Sequence, residues 1–593
     1  RRAVLDAPLA SVTDAEHASE LRADGRLVDV LRVGRVVEKC HGTCGEPERN
    51  VDVGERHRVG RDGPCVDTGR PGVEWTATRA GLVTLGGGGH GRGRSMRSMP
   101  RDDAVPTAAG PDGGPRSFRR DEMRSAIEAA SSGGAAPFDL VVVGGGITGC
   151  GVALDAAARG LRVALFERGD FASGTSSMSS KMVHGGLRYL QNGEMRLVYE
   201  ALRERRRLMR NAPHLVEVLP FLIPIMTRDG VVKKKIARAL GSAMWMYDLT
   251  GGWRIGRLHR RASAAESAAH FPTTHLDRLS AGYVYFDAGA DDARLTLTVA
   301  RTAARHGALV LNHAPVTGLQ RDAQGRVDGV TVQVDGGEIT VGARAVVDAT
   351  GVWSDELAGL DGADREARIR PAKGVHVTIP WELVRNDIAV VVPSKRDRRS
   401  VFLVPWGPRP DGTFRHTYIG TTDTDYDGAL DTPTCDAADI DYLLEAVDAA
   451  VTTSVGRADV TGVWAGLRPL VATADGPDDA TADLSRRHVV RRGEDGVVLV
   501  NGGKLTTYRA MAEDTVDAVV AARPDAPRRW RRHPTRRLRF DGAKPVRAPR
   551  GWVEHHLGSR VGRGAPAIEG VVGGDPSLAG PLVAGEADPR AEA

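Results

Sequence analysis

The sequence predicts an α/β fold organised around a Rossmann-type nucleotide-binding unit. Three observations predict it. FDLVVVGGGITGCGVALDAAARGLRVALFE, Phe138 to Glu167, reads as strand, glycine turn, helix, strand and terminal acid. Downstream, short apolar runs split by AQG and DGG turns follow a helix-like segment. A further apolar run, Val346 to Ala349, then leads into Thr350-Gly351.

Bulk properties exclude several classes. A net charge of +5 over 593 residues is too small to argue for nucleic acid. No apolar run reaches the ~18 residues of a membrane span. Cys40, Cys44, Cys65, Cys150 and Cys435 make no disulfide framework, so a reducing interior is expected. The opening Arg1-Arg2-Ala3 shows no secretory pattern.

Residues 1–122 lack sustained periodicity and include LGGGGHGRGRSMRSMPRDD; a disordered or spurious extension is expected. Met96, Met99 and Met123 are alternative starts. CHGTC with His57 and Cys65 lacks paired zinc-site spacing and reads as an incidental loop, so no metal is expected. Residues 123–137, ending in SSGGAAP, read as a linker, with folded sequence from Phe138.

Leu140 to Val143 has the unbroken apolar character of a strand covered on both faces. In GxGxxG, Gly144 makes the tight turn, Gly146 admits a pyrophosphate to the backbone, and Gly149 lets helix and strand pack closely. Ile147 and Thr148 open a helix whose N–H groups would meet phosphates. Its inner residues, Gly151, Ala153, Ala156 and Ala157, are small, and Gly160 is its stop. After the strand Leu161 to Phe166, Glu167 is placed to accept a ribose hydroxyl. That favours NAD or FAD over a 2′-phosphorylated cofactor.

GTSSMSSKMVHGGLRYL, Gly174 to Leu190, offers Ser176, Ser177, Ser179, Ser180 and Lys181 to a diphosphate and a ring's polar edge. His184-Gly185-Gly186 would bring backbone against a flat ring. Ala293 to Arg305 reads as a helix. Ala308–Asn312, Val316–Gln320, Val327–Val334 and Glu338–Val341 read as strands.

GGGITGCG, TSSMSSKMVHGGLRYL, VVDATGVWSDEL, RPAKGVHVTIP, IGTTDTDY, GLRPL and GGKLTTYR follow one another in an order that resembles the FAD-dependent glycerol-3-phosphate dehydrogenases of the respiratory, aerobic type. The resemblance covers about Phe138 to Ala522. It implies a glutathione-reductase-like FAD-binding domain, an α+β substrate domain and a truncated helical C-terminal segment. The implied FAD domain is discontinuous (138–230, 293–370, 490–522), with a cap over 231–292 and 371–489, a basic connector over 523–540 and a partial helical domain over 541–593. Beyond the glycine turn and the residues above, Arg168, Thr175, Val316, Ala349, Thr350, Gly351 and Trp353 are the implied FAD contacts. Gly502, Gly503, Lys504, Leu505 and Thr506 would lie at the isoalloxazine, before a helix starting near Thr507.

Glycerol 3-phosphate carries a dianionic phosphate and a secondary alcohol, so its pocket needs cations and a proton acceptor. The matched motifs supply Arg188, Arg468 and Lys504 as the main set. Tyr189, Lys373, Thr422 and Arg486 are further substrate contacts, Arg487 is a substitute for Arg486, and Thr421 and Asp423 line the far wall. His376, alternating with Val375 and Val377, is the preferred proton acceptor, with a satisfied core histidine as the alternative.

The run Arg203, Arg205, Arg206 and Arg207 is expected on a solvated helix face. VVKKKIARALGSAMWMYDLTGGW places Lys233, Lys234 and Lys235 before Ile236, Leu240, Met244, Trp245 and Tyr247, which suits a bilayer surface as well as a buried helix. No iron–sulfur cysteine spacing is present. The resemblance therefore implies a membrane quinone as acceptor, a peripheral position on the inner face of the cell membrane, and a possible homodimer. A glycerol-3-phosphate oxidase using O2 and a non-catalytic flavin-binding scaffold are the alternatives.

Overall fold

The computed structural model describes residues 118–186, 194–227, 234–360, 369–397, 399–409, 411–471 and 487–543, with backbone alone for 234–240. The CHGTC segment, Arg188, Tyr189, Arg486, Lys233 and everything past 543 lie outside them.

Helix α1 (Arg120–Ser131) comes first and buries Met123 and Ile127. Arg120 and Arg124 both pair with Asp335. Folded structure thus begins ahead of Phe138, contrary to the linker expectation. One i,i+4 apolar pair carries this helix, too little periodicity to stand out in the sequence.

Strand β1 (Leu140–Val143), helix α2 (Ile147–Arg159) and strand β2 (Val163–Phe166) form the βαβ unit. Gly160 closes α2 in the left-handed region at φ +90°. A Cβ on Gly151 would lie 2.7 Å from the Tyr508 ring, which is why the inner face of α2 is small.

The chain then leaves for a second sheet. Its elements are β3 (Met182–Val183), α3 (Met195–Asn211), β4 (Val216–Met226), α4 (Lys234–Thr250), β5 (Arg260–Ser263), α5 (Ala264–His270) and β6 (Leu279–Ala290). Helix α6 (Asp292–Arg305) and β7 (Leu309–Leu311) return to the first sheet. Strands β8 (Val316–Arg321), β9 (Val327–Val334) and β10 (Gly337–Gly342) form a separate antiparallel sheet, as their turns predict. β11 (Val346–Asp348) and α7 (Ser354–Gly359) follow.

The second sheet resumes with β12 (Ile369–Pro380), β13 (Ala389–Pro393), β14 (Ser400–Pro408), β15 (Phe414–Gly420), β16 (Thr424–Asp425), α8 (Ala437–Asp448) and β17 (Gly462–Val471). β18 (Val489–Arg492), β19 (Val498–Asn501) and α9 (Tyr508–Ala521) complete the first.

The first sheet runs β18-β19-β11-β1-β2-β7, parallel except at β18. The second runs β16-β12-β15-β14-β13-β4-β6-β3, with β17 paired to β12 and β5 to β6. β3 and β4 therefore join the second sheet, although the sequence places 138–230 in the nucleotide domain. Strand pairing with the distant β6 decides this, and no local pattern encodes it.

Two charged stretches differ from expectation. Arg205 is fully buried, ion-paired with Asp287 and donating to the carbonyls of Phe286 (3.0 Å) and Gly252 (3.1 Å). Arg207 pairs with Glu204, and Arg203 and Arg206 alone are exposed. Consecutive helical residues step by about 100°, so a run of arginines cannot share one face. Residues 523–540 are not an exposed connector either. Trp530, Leu538 and Phe540 are buried, Arg159 donates to the Trp530 carbonyl (3.1 Å), and the Phe540 amide donates to the Asn211 carbonyl (2.9 Å).

Candidate functional site

The glycine turn sits at the C-terminal edge of β1. Gly144 has φ +107° and its amide donates to the Phe166 carbonyl (2.8 Å). A Cβ there would lie 2.6 Å from the Ala349 carbonyl oxygen, and one on Gly149 would lie 1.9 Å from that of Gly144. At Gly146 the nearest atom would be Ser176 Oγ at 3.1 Å. The first-turn amides of Ile147, Thr148 and Gly149 have no intrahelical acceptor by helix geometry. Ile147 donates to Ser176 Oγ (2.9 Å), which places Ser176 beside the turn.

The buried Glu167 carboxylate accepts from the amides of Gly145 (2.6 Å) and Gly169 (2.7 Å). Burial pushes its pKa up, and these two N–H groups oppose the shift. The amides of Ala314 and His313 donate to the Glu167 and Gly169 carbonyls, which brings Val316, at the start of β8, to this end.

Across the turn, the Ala349 amide donates to the Val143 carbonyl (2.9 Å). Thr350 bonds Asp348 through amide and hydroxyl, and Gly351 has φ +67°. Trp353 packs against Gly174, and its Nε1 is buried without a partner among the described residues. A cradle with no room for side chains, a helix N-terminus and a buried unpartnered donor fit an extended dinucleotide. FAD is the group whose chemistry they accommodate.

Several implied cofactor contacts are committed elsewhere. Arg168 lies 4.6 Å over the Trp353 ring and pairs with Glu356 and Asp431, which consumes its charge. Thr175 donates to the Leu467 carbonyl (2.6 Å) and Ser177 to that of Gly174 (3.4 Å). Lys181, held at φ +53°, pairs with Asp292 (2.6 Å). These groups fix the loop rather than a ligand, because a buried polar group must find its partner locally.

At the far end, His184-Gly185-Gly186 meets the turn at Lys504-Leu505-Thr506. Thr506 Oγ1 accepts from the His184 amide (3.1 Å) and donates to its carbonyl (3.3 Å). Gly186, Gly502 and Gly503 all lie in the left-handed region, at φ +76°, +75° and +73°. The Lys504 ammonium is buried, and α9 begins three residues past Leu505.

The second sheet carries the residues expected to face the substrate. Arg468 on β17 donates to Asp423 Oδ1 (2.8 Å), the Thr422 carbonyl (3.1 Å) and Thr421 Oγ1 (3.3 Å). With 21% of its side chain exposed, it keeps an accessible edge. Lys373 differs: its ammonium is held by Asp439 (2.7 Å) and Asp436 (2.9 Å) at the start of α8. That makes it a structural tie and corrects the substrate role. Thr422 is corrected as well, since its buried hydroxyl accepts from the Val375 amide (2.9 Å).

His376 is enclosed. Its ring stacks on Trp464 at 4.7 Å, its Nε2 meets Ser180 Oγ at 2.7 Å, and its buried Nδ1 has no partner among the described residues. Burial first, then the nearby charges of Arg468 and Lys181, hold its pKa well below the ordinary value. A group so biased against protonation is a poor proton acceptor, so His376 is a core histidine whose Nε2 is satisfied by Ser180, though its Nδ1 has no partner among the described residues. Ser180 is accordingly held by His376, and its carbonyl accepts from the Tyr418 hydroxyl (2.9 Å).

Sequence reading missed four of the acids that hold these cations, Asp287, Asp292, Asp436 and Asp439, and expected Asp423 on the far wall but not as the partner of Arg468. A usable signal exists for one of them. Asp287 interrupts the apolar strand YVYFDAGA, where a buried carboxylate requires a partner.

A family described as FAD dependent oxidoreductase matches residues 139–518. A glycerol-3-phosphate dehydrogenase of Mycobacterium leprae is 44% identical over 66% of this chain and 64% of its own length, so the chain spans just under two thirds of that relative. Glycerol-3-phosphate dehydrogenase 2 of Mycobacterium tuberculosis is 41% identical over 76% of each chain. Among solved structures, the glycerol-3-phosphate dehydrogenase from Bacillus halodurans complexed with FAD is 31% identical, with a TM-score of 0.56 over 72% of each chain. The chain belongs to the FAD dependent oxidoreductase family.

Proposed function

We propose, from that membership, that the chain oxidises glycerol 3-phosphate to dihydroxyacetone phosphate and passes the electrons to a membrane quinone. The observation that carries the substrate is Arg468, a partly exposed guanidinium in an otherwise uncharged β17 segment. The buried Lys504 ammonium in the turn after β19 supplies a second cation, and the resemblance adds Arg188, Tyr189 and Arg486. Bound FAD supplies a hydride acceptor for the substrate's C2.

The chain's own residues do the rest. Gly144, Gly146 and Gly149 leave the main chain bare for the diphosphate, and Glu167 receives the ribose. Arg468 and Lys504 would bind the phosphate and lower the pKa of the alcohol, so its proton can pass to solvent as the hydride leaves. His376 orients Ser180 and stays neutral.

A peripheral membrane position is supported by one surface. Trp245, Met246 and Leu249 on α4, with Trp253 and Leu258 beyond it, are exposed large apolar side chains. Arg254 lies 5.2 Å over the Trp253 ring and 4.8 Å over Tyr199. Aromatic and basic groups together suit a bilayer interface. Met244 and Tyr247 are buried, so the apolar face is narrower than the sequence implies. Among the described residues no helix is long and apolar enough to cross a membrane.

The test is anaerobic titration of the flavin-loaded protein with glycerol 3-phosphate. Bleaching of the visible flavin band is the expected result, and an unchanged band would leave only a flavin-binding scaffold. Reoxidation by a quinone analogue much faster than by O2 is expected; the reverse would make the protein an oxidase.

A further inference from the structure

We infer that two adjacent buried residues of α3, Glu204 and Arg205, clamp together the two turns at the ring end of the FAD site. Glu204, Arg205, Tyr247 and Asp287 are then positioning residues for the reaction proposed above. The role in catalysis rests on that reading; the clamp itself rests on geometry.

One arm reaches the first turn. Arg205, with no exposed side-chain surface, is ion-paired with Asp287. Asp287 Oδ1 also accepts from the Gly185 amide (3.2 Å) and from the Tyr247 hydroxyl (2.9 Å). The same Gly185 amide donates to the Tyr247 oxygen at 3.1 Å. Gly185 has no room to shift toward α3, since a Cβ would lie 2.4 Å from Leu202 Cδ2.

The other arm reaches the second turn. Glu204, 1% exposed, accepts two N–H groups of Arg509, at 2.5 and 3.0 Å. Arg509 stands in the first turn of α9, immediately after Lys504–Tyr508, and its remaining nitrogen is fixed by Glu513 (2.5 Å). Neighbouring helical side chains diverge by about 100°, so one dipeptide can serve both turns. The turns are already joined by Thr506 and His184, which closes the circuit.

Buried ion pairs contribute little net stability but specify a single arrangement where every member is satisfied. With FAD bound at the implied position, that arrangement would hold the N-terminus of α9 toward the ring, where a helix dipole stabilises negative charge on its reduced form. Loosening either arm weakens that stabilisation without removing any group that touches substrate.

The experiment uses the FAD-loaded full chain and the variants Tyr247→Phe, Glu204→Gln and the double variant. Each is measured for flavin midpoint potential by dye equilibration, for kcat and KM separately, and for thermal unfolding. We expect potentials shifted lower, kcat down about tenfold or more, and KM within about twofold. The double variant should lose less than the product of the single losses, since both arms hold one contact. Unchanged potentials and kcat with only a lowered melting temperature would make the clamp a structural tie and overturn the inference. If Glu204→Gln loses FAD, Tyr247→Phe decides alone, because it deletes one hydroxyl and alters no charge. Shifted potentials in a protein whose wild-type flavin ignores glycerol 3-phosphate would sink the proposed reaction while upholding the clamp.

Discussion

At the glycine turn an anion would meet main-chain N–H groups and the open end of α2. On the β12–β17 wall it would meet a guanidinium already shared with Asp423. The first region binds by leaving space, and its glycines lie within a few residues of one another. The second binds by charge, and what a ligand receives is whatever the buried carboxylates have not taken. Lys373 marks the limit of that rule, with two carboxylates consuming one ammonium. A cation in a matched motif is therefore a weaker site indicator than a glycine in one.

Gly149→Ala is the severest way to break this comparison. The added Cβ would lie 1.9 Å from a backbone oxygen that belongs to the turn itself, so no side chain can give way. We expect about 4 kcal/mol or more of lost stability and a colourless protein, read by flavin absorbance and chemical denaturation. Gly146→Val should be milder toward the fold, since the nearest neighbour is a serine hydroxyl at 3.1 Å, and should chiefly cost FAD retention. A yellow, stable Gly149→Ala protein would mean that space is not what the turn provides.

The wall is tested by a contrasting pair. Arg468→Ala should lower kcat/KM by about 100-fold with FAD retained. Lys373→Met should leave turnover within about threefold yet cost about 3 kcal/mol of stability, because it strands Asp439 in a buried position. Steady-state kinetics and denaturation of both variants give the answer. A reversed pattern would restore Lys373 to the substrate pocket.

The two regions also differ in how far the sequence reveals them. Strand, glycines, helix and acid from Leu140 to Glu167 are visible because each signal is local and periodic. So is the three-stranded insertion, whose turns carry Gly325 and Gly336 at positive φ. The second sheet is not visible in this way. β4 reaches its place through pairing with β6, more than fifty residues on, and with the still more distant β13, and Arg205 is buried with Asp287 of β6 as its partner. Helix α1 and the strip carrying Trp530 and Phe540 escape notice because a few apolar residues among many arginines do the packing. Resemblance supplied the list of site residues, but it could not say which of them are occupied by partners.

The smallest expected effect contrasts, by pH, a carboxylate on α9 held by arginines with the one held by backbone amides at the glycine turn. Burial pushes the Glu513 carboxyl up, but its pairs with Arg536 and Arg509 outweigh this and leave it at about 2. Its folded pKa lies below the unfolded value of 4.5. It therefore stabilises the fold fully above about 4.5 and loses that contribution as pH falls toward 2. The contribution at neutral pH is on the order of 2 kcal/mol after allowing for the exposed Arg536. Glu167 in the glycine turn has the opposite sign, because burial raises its pKa and its ionised form costs stability as pH rises past the unfolded value. Denaturation midpoints across pH 2 to 7 should show Glu513→Gln losing the rise below 4.5 and Glu167→Gln losing a fall above it. Matching slopes in the two variants would mean that the carboxylate held by backbone amides and the one held by arginines handle charge in the same way, and the distinction between space and charge would fail.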